Sequence, residues 1–89
     1  MPTLHLLIKG KVQGVFYRAT AREVADQIGL KGWVKNTVAG DVEAVITGTE
    51  EQVRQFIDWS KKGPRRAEVS DVVITEQQET AFDEFKVIR

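Results

Sequence analysis

The chain has 89 residues, enough for one domain, 1–89, that buries roughly 60–65% of the surface its unfolded chain would expose. An apolar fraction of 42% against a charged fraction of 29% excludes a disordered chain. The 13 Lys and Arg are balanced by 13 Asp and Glu, which weighs against a nucleic-acid binder, and with no cysteine there is no disulfide, thiol nucleophile or cysteine metal site.

From Thr3 to Lys9 the residues alternate. Leu4, Leu6 and Ile8 share one side, and His5, Leu7 and Lys9 the other, which predicts a strand. Gly10 to Arg18 then holds two glycines, an amide and an arginine. Tyr17, Ala21, Val24, Ala25 and Ile28 recur at spacings of three and four, which predicts a helix over 17–28 with Gly29 as its left-handed cap. Lys31 to Thr37 is a second extended run, with Val34 and Trp33 on opposite faces. Val38 to Asp41 supplies a turn, and Val42, Ala44 and Ile46 alternate in a third strand paired antiparallel to the second.

Thr49 followed by Gln52 is a capping box, with Glu50 and Glu51 in the favoured first turn. Val53, Phe56, Ile57 and Ser60 form the stripe of this second helix. Lys61 and Lys62 end it, Gly63 caps it and Pro64 forbids continuation. Val69 to Thr75 reads as a fourth strand, Glu76 to Ala81 as a loop, and Phe82 to Arg89 as a short final strand. The order β-α-β-β-α-β, with one extra strand, predicts an α+β, ferredoxin-like sandwich. Its mostly antiparallel sheet has four to five strands, with two helices on one face. No run reaches the apolar length of a membrane span, and the N-terminus lacks a basic region followed by a long apolar core. A cytoplasmic monomer, acting without membrane or nucleic acid, is the expectation.

A strand that passes through a glycine-containing loop into a helix leaves backbone N–H groups unpaired at the positive end of the helix dipole. Gly10 to Arg18 is therefore a candidate anion cradle, and Arg18 adds a planar, permanently charged fork. Taken singly, Gly10 and Gly14 read equally well as turn glycines. Arg18 then reads as a solvated helix-start residue and Asn36 as a turn former.

Gly10-Lys-Val-Gln-Gly-Val-Phe-Tyr-Arg18 resembles the first signature of the acylphosphatases. Gly32-Trp-Val-Lys-Asn36 with Gly40-Asp-Val-Glu43 resembles the second. Gly63-Pro64, Ala67, Val69 and Phe85 also fit the family pattern. The resemblance implies a small hydrolase of acyl phosphates that uses no metal or other cofactor. It implies that the loop backbone at Gln13, Gly14, Val15, Phe16 and Tyr17, with Arg18, holds the phosphate. It implies that Asn36 orients the attacking water. Two departures stand out. Tyr17 replaces a commoner phenylalanine, and Ala39 stands where an aspartate often precedes the turn glycine.

The residue inventory agrees with that chemistry. An acyl phosphate releases a carboxylate whose conjugate acid has a pKa of about 4, so no general acid is needed. A loose phosphoryl-transfer transition state asks for positioning and charge stabilisation. Backbone N–H groups and an arginine stabilise charge, and one amide can orient a water. The alternative is a ferredoxin-like module that binds phosphate without catalysis or binds RNA. The third strand disfavours RNA, because Asp41 to Thr47 has two acids and no aromatic residue on which bases could stack. Lys61, Lys62, Arg65 and Arg66 read as solvated surface.

Overall fold

The first strand's alternation calls for a sheet with one dry face, and the computed structural model, which describes residues 1–88, has one. The elements are β1 (Thr3–Lys11), α1 (Tyr17–Ile28), β2 (Lys31–Asn36), β3 (Val42–Thr47), α2 (Glu50–Lys62), β4 (Glu68–Gln77) and β5 (Phe85–Ile88). The five strands lie in the order β4-β1-β3-β2-β5. Leu6, Ile8, Val34, Val42, Ala44 and Ile46 are buried on one face. Ala21 and Ala25 of α1 and Val53 and Phe56 of α2 pack into the same core. This is the expected α+β sandwich.

Strand direction positions everything that follows. β1 and β2 each pair antiparallel with β3, so they run the same way, and β5 runs parallel to β2. The ends of β1, β2 and β5, at Lys11, Asn36 and Ile88, therefore lie at the same end of the sheet.

Four strands differ in their bounds from the sequence expectation. β1 continues through Gly10 and Lys11, so Gly10 is a sheet glycine and not a loop one. At φ +126°, a Cβ there would fall 2.1 Å from the Glu68 carbonyl oxygen of β4, and the register shifts at this point. Only glycine permits that approach. β4 includes Glu76 and Gln77, which pair with Leu4 and Thr3. As an exposed edge strand it needs no apolar alternation, so its polar end resembled a loop. β2 stops at Asn36, and Thr37 belongs to the turn. The last strand begins at Phe85 rather than Phe82, and Arg89 of the expected segment lies outside the described residues.

The sheet face opposite the helices carries one polar cluster. His5 Nε2 lies 2.6 Å from Glu43 Oε2, and Lys35 Nζ lies 3.6 Å from Glu43 Oε1. The Lys35 ammonium also sits 5.4 Å from the centre of the Trp33 ring. Between them Val45 is only 3% exposed, flanked in register by His5 and Trp33. The His5 hydrogen bond, helped by Lys35, holds the Glu43 carboxyl below its usual value.

Candidate active site

Residues 12–16 carry the chain from β1 into α1. Val12 and Val15 are buried and root this loop in the core, while Gly14 and Phe16 stay outside. Gly14 has φ +75°, with no atom within 4 Å of a built Cβ, so glycine is required there by the backbone and not by space. Phe16 is the one non-glycine residue with positive φ among the described residues, at φ 63° and ψ 24°, and the residue is 74% exposed. A left-handed phenylalanine costs of order 1–3 kcal/mol and persists only where its surroundings over-determine it. Val15 and Tyr17 are pinned on either side. The Thr20 backbone N–H (3.0 Å) and hydroxyl (2.8 Å) both donate to the Phe16 carbonyl.

The result is a helix start with nothing on it. Phe16 is the N-cap of α1 but supplies no side-chain cap, and the first turn carries no acid. Among the described residues, no protein acceptor takes the N–H groups from Gly14 to Ala19. An anion at this point would meet aligned donors and the positive end of the dipole together. Arg18 stands in the first turn, half-buried, held only by a long 3.4 Å contact from Nη1 to the Ile88 carbonyl. Most of its donor fork remains available.

Asn36 is the last residue of β2, on the same face as Val34 by strand alternation, and opposite Val42 in register. It is half-buried. Thr37 does not support it. Its hydroxyl instead accepts from the Asp41 N–H at 3.1 Å, so Thr37 is a turn residue.

The sequence singled out Gln13 for its backbone, and its side chain does more. Nε2 donates to the carbonyls of both Thr37 and Asp41, each at 2.8 Å. The loop after β1 is thereby joined to the β2–β3 turn, directly beside Asn36. No spacing in the sequence signals this contact, because the partners are backbone atoms 24 and 28 residues away. Thr20 was also missed. A threonine in a helix's first turn, able to bond back to the carbonyl four residues earlier, was its available signal.

Tyr17 is buried, and its ring stacks at a tilt on Trp59 with centroids 5.1 Å apart. Its hydroxyl donates to the Ser60 carbonyl at 2.8 Å. That carbonyl sits in the last turn of α2, where its regular donor would be the N–H of residue 64, and residue 64 is proline. The hydroxyl replaces the missing donor. Burial pushes the Tyr17 phenol well above its ordinary value, so it stays protonated.

Gln13, Gly14, Val15, Phe16, Tyr17, Arg18 and Asn36 thus gather at one end of the sheet. Among the described residues, no three His, Asp or Glu side chains come together as metal ligands, and no helix is long and apolar enough to cross a membrane.

Residues 4–87 match the family model described as Acylphosphatase. An acylphosphatase of Thiobacillus denitrificans is 46% identical over 78 residues, covering 88% of each chain. The crystal structure of acylphosphatase from Bacillus subtilis superposes with a TM-score of 0.96 at 31% identity, covering 100% of both chains. The structure of an acylphosphatase from Coxiella burnetii superposes with a TM-score of 0.94 at 38% identity, covering 98% of this chain and 92% of the other.

Proposed function

The chain belongs to the acylphosphatase family, and on that basis we propose that it hydrolyses the carboxyl–phosphate mixed anhydride of acyl phosphates to a carboxylate and inorganic phosphate. The phosphate sits on the uncapped start of α1, held by N–H groups of the 13–17 loop and by the Arg18 fork. Asn36, with both a donor and an acceptor on its amide, holds a water in line with the leaving oxygen. The water oxygen bonds to phosphorus, and the bond from phosphorus to the acyl oxygen breaks. The carboxylate leaves with the electron pair, and the water's proton passes to a phosphate oxygen. Catalysis then rests on positioning and on charge stabilised by preorganised donors.

One observation carries this reading. The Gln13 side chain joins the uncapped loop to the turn that follows Asn36, at 2.8 Å to each of two carbonyls. The binding element and the water-orienting candidate therefore form one unit. In this reading the enzyme works as a cytoplasmic monomer, which cell fractionation and size-exclusion chromatography test.

The direct experiment follows benzoyl phosphate by its ultraviolet absorbance, with chelator present. Turnover should persist, and inorganic phosphate should compete. Arg18→Ala should weaken phosphate inhibition and lower kcat/KM by about 10²–10³, the usual effect of losing an oxyanion donor. Asn36→Ala should lower kcat by about 10²-fold while phosphate inhibition stays near wild type. An inert wild-type protein would sink the reading, and full turnover in Asn36→Ala would remove its water-orienting step.

A further inference from the structure

We infer that the Gln13 side chain is a positioning residue for turnover, setting where Asn36 stands relative to the loop that starts α1. This rests on the roles given above to that loop and to Asn36. Its own ground is the geometry of one nitrogen. Nε2 has two hydrogens, and both are used at 2.8 Å, on the Thr37 and Asp41 carbonyls. A flipped amide would turn Oε1 against two carbonyl oxygens, so the orientation is fixed.

The turn that receives these bonds is rigid in its own right. Thr37 N–H donates to the Asp41 carbonyl at 2.9 Å, and Gly40 N–H to the Thr37 carbonyl at 3.2 Å. Asp41 N–H donates to the Thr37 hydroxyl at 3.1 Å. A closed turn moves as a body, and Asn36 is the residue that leads into it. Fixing the turn against the loop fixes Asn36 against Arg18 and the open N–H groups. No other side-chain hydrogen bond among the described residues ties the loop to this turn. The side chain is hydrogen-bonded to neither Arg18 nor the loop's free donors in this arrangement. Its loss therefore separates the two halves of the site without dismantling either.

The test is a double-variant kinetic cycle with benzoyl phosphate. Gln13→Met keeps the volume and removes the donors, and Gln13→Ala removes both. A phosphate-binding isotherm counts competent sites in each preparation, so kcat is expressed per folded site even where a variant folds poorly. Both variants should lower kcat about tenfold while the phosphate inhibition constant stays within about twofold. In the Asn36→Ala background, Gln13→Met should cost less than about twofold more, because a residue acting through Asn36 has nothing left to position. Independent losses in the double variant would overturn the inference. So would phosphate inhibition weakened as much as kcat. If Asn36→Ala lowers kcat and Gln13→Met does not, the inference alone falls. If Asn36→Ala keeps full kcat, the water-orienting role falls and this inference with it.

Discussion

The two helices of this protein begin in opposite ways. At α2 a capping box closes the first turn. Thr49 accepts from the Gln52 N–H at 3.1 Å, and the Gln52 side chain accepts from the Thr49 N–H at 2.9 Å. Gln52 also donates at 3.1 Å to the Ile28 carbonyl at the far end of α1. Glu50 and Glu51 occupy the first turn. At α1 there is no side-chain cap and no acid, and the capping position holds a left-handed phenylalanine. One helix start stabilises the fold. The other withholds that stabilisation and leaves its first N–H groups without protein acceptors at the positive end of the helix. The difference teaches that one chain can close one helix start with a capping box and leave the other without a side-chain cap, which makes the second the place to test for an anion.

Of the changes at the two helix starts, filling the open one should give the larger effect. Phe16→Asp supplies a carboxylate at the capping position in a residue type that tolerates the left-handed region. It should raise the thermal midpoint, in line with a gain of about 1 kcal/mol, and weaken phosphate inhibition tenfold or more. Phosphate inhibition left unchanged would show that the anion does not sit on α1. Emptying the filled start should do the reverse. Thr49→Ala should cost about 1 kcal/mol in urea unfolding and leave KM unchanged.

Tyr17→Phe tests the link between the two helices. It strands the Ser60 carbonyl that Pro64 cannot serve, for a cost of about 1 kcal/mol with KM held within about twofold. The smallest effect lies away from both helix starts. Glu43 has its carboxyl lowered in the folded state, first by His5 and then by Lys35. The stability this contributes is present above the unfolded carboxyl value and is lost as pH falls through the folded one. His5→Asn should therefore flatten the acid limb of the stability curve below about pH 5, read by denaturant unfolding at several pH values.

Much of the fold could be read directly. Leu6, Ile8, Val34, Ala44 and Ile46 announced a dry face by period two, and Thr49 with Gln52 announced a cap at its true place. These are local signals, and local structure obeyed them. Gly14 and Arg18 marked the loop, and the family pattern singled out Asn36. What stayed hidden depends on distant partners. No local preference puts phenylalanine in the left-handed region, so the Phe16 conformation is imposed by buried neighbours. Gln13 reaches two backbone carbonyls, which carry no residue identity to read. Gly10 looked like a loop glycine because the Glu68 backbone pressing on it lies far along the chain. Glu76 and Gln77 extend an edge strand that needs no apolar pattern. Tyr17 stood out only as a departure from phenylalanine, and its hydroxyl answers a proline at position 64.

β1 comes first in the chain and lies inside the sheet. Leu6 pairs with Ala44 on one side and with Ile74 on the other. Neither neighbour can arrive until the chain has closed loops of some forty and some seventy residues. Such topologies fold on the slower side of small domains, since the entropy of loop closure precedes the reward of the contacts. The loop that follows β1 takes its shape from that strand at one end and from the β2–β3 turn at the other. It is coded near the start of the chain, yet it acquires its form only when long-range pairing is complete.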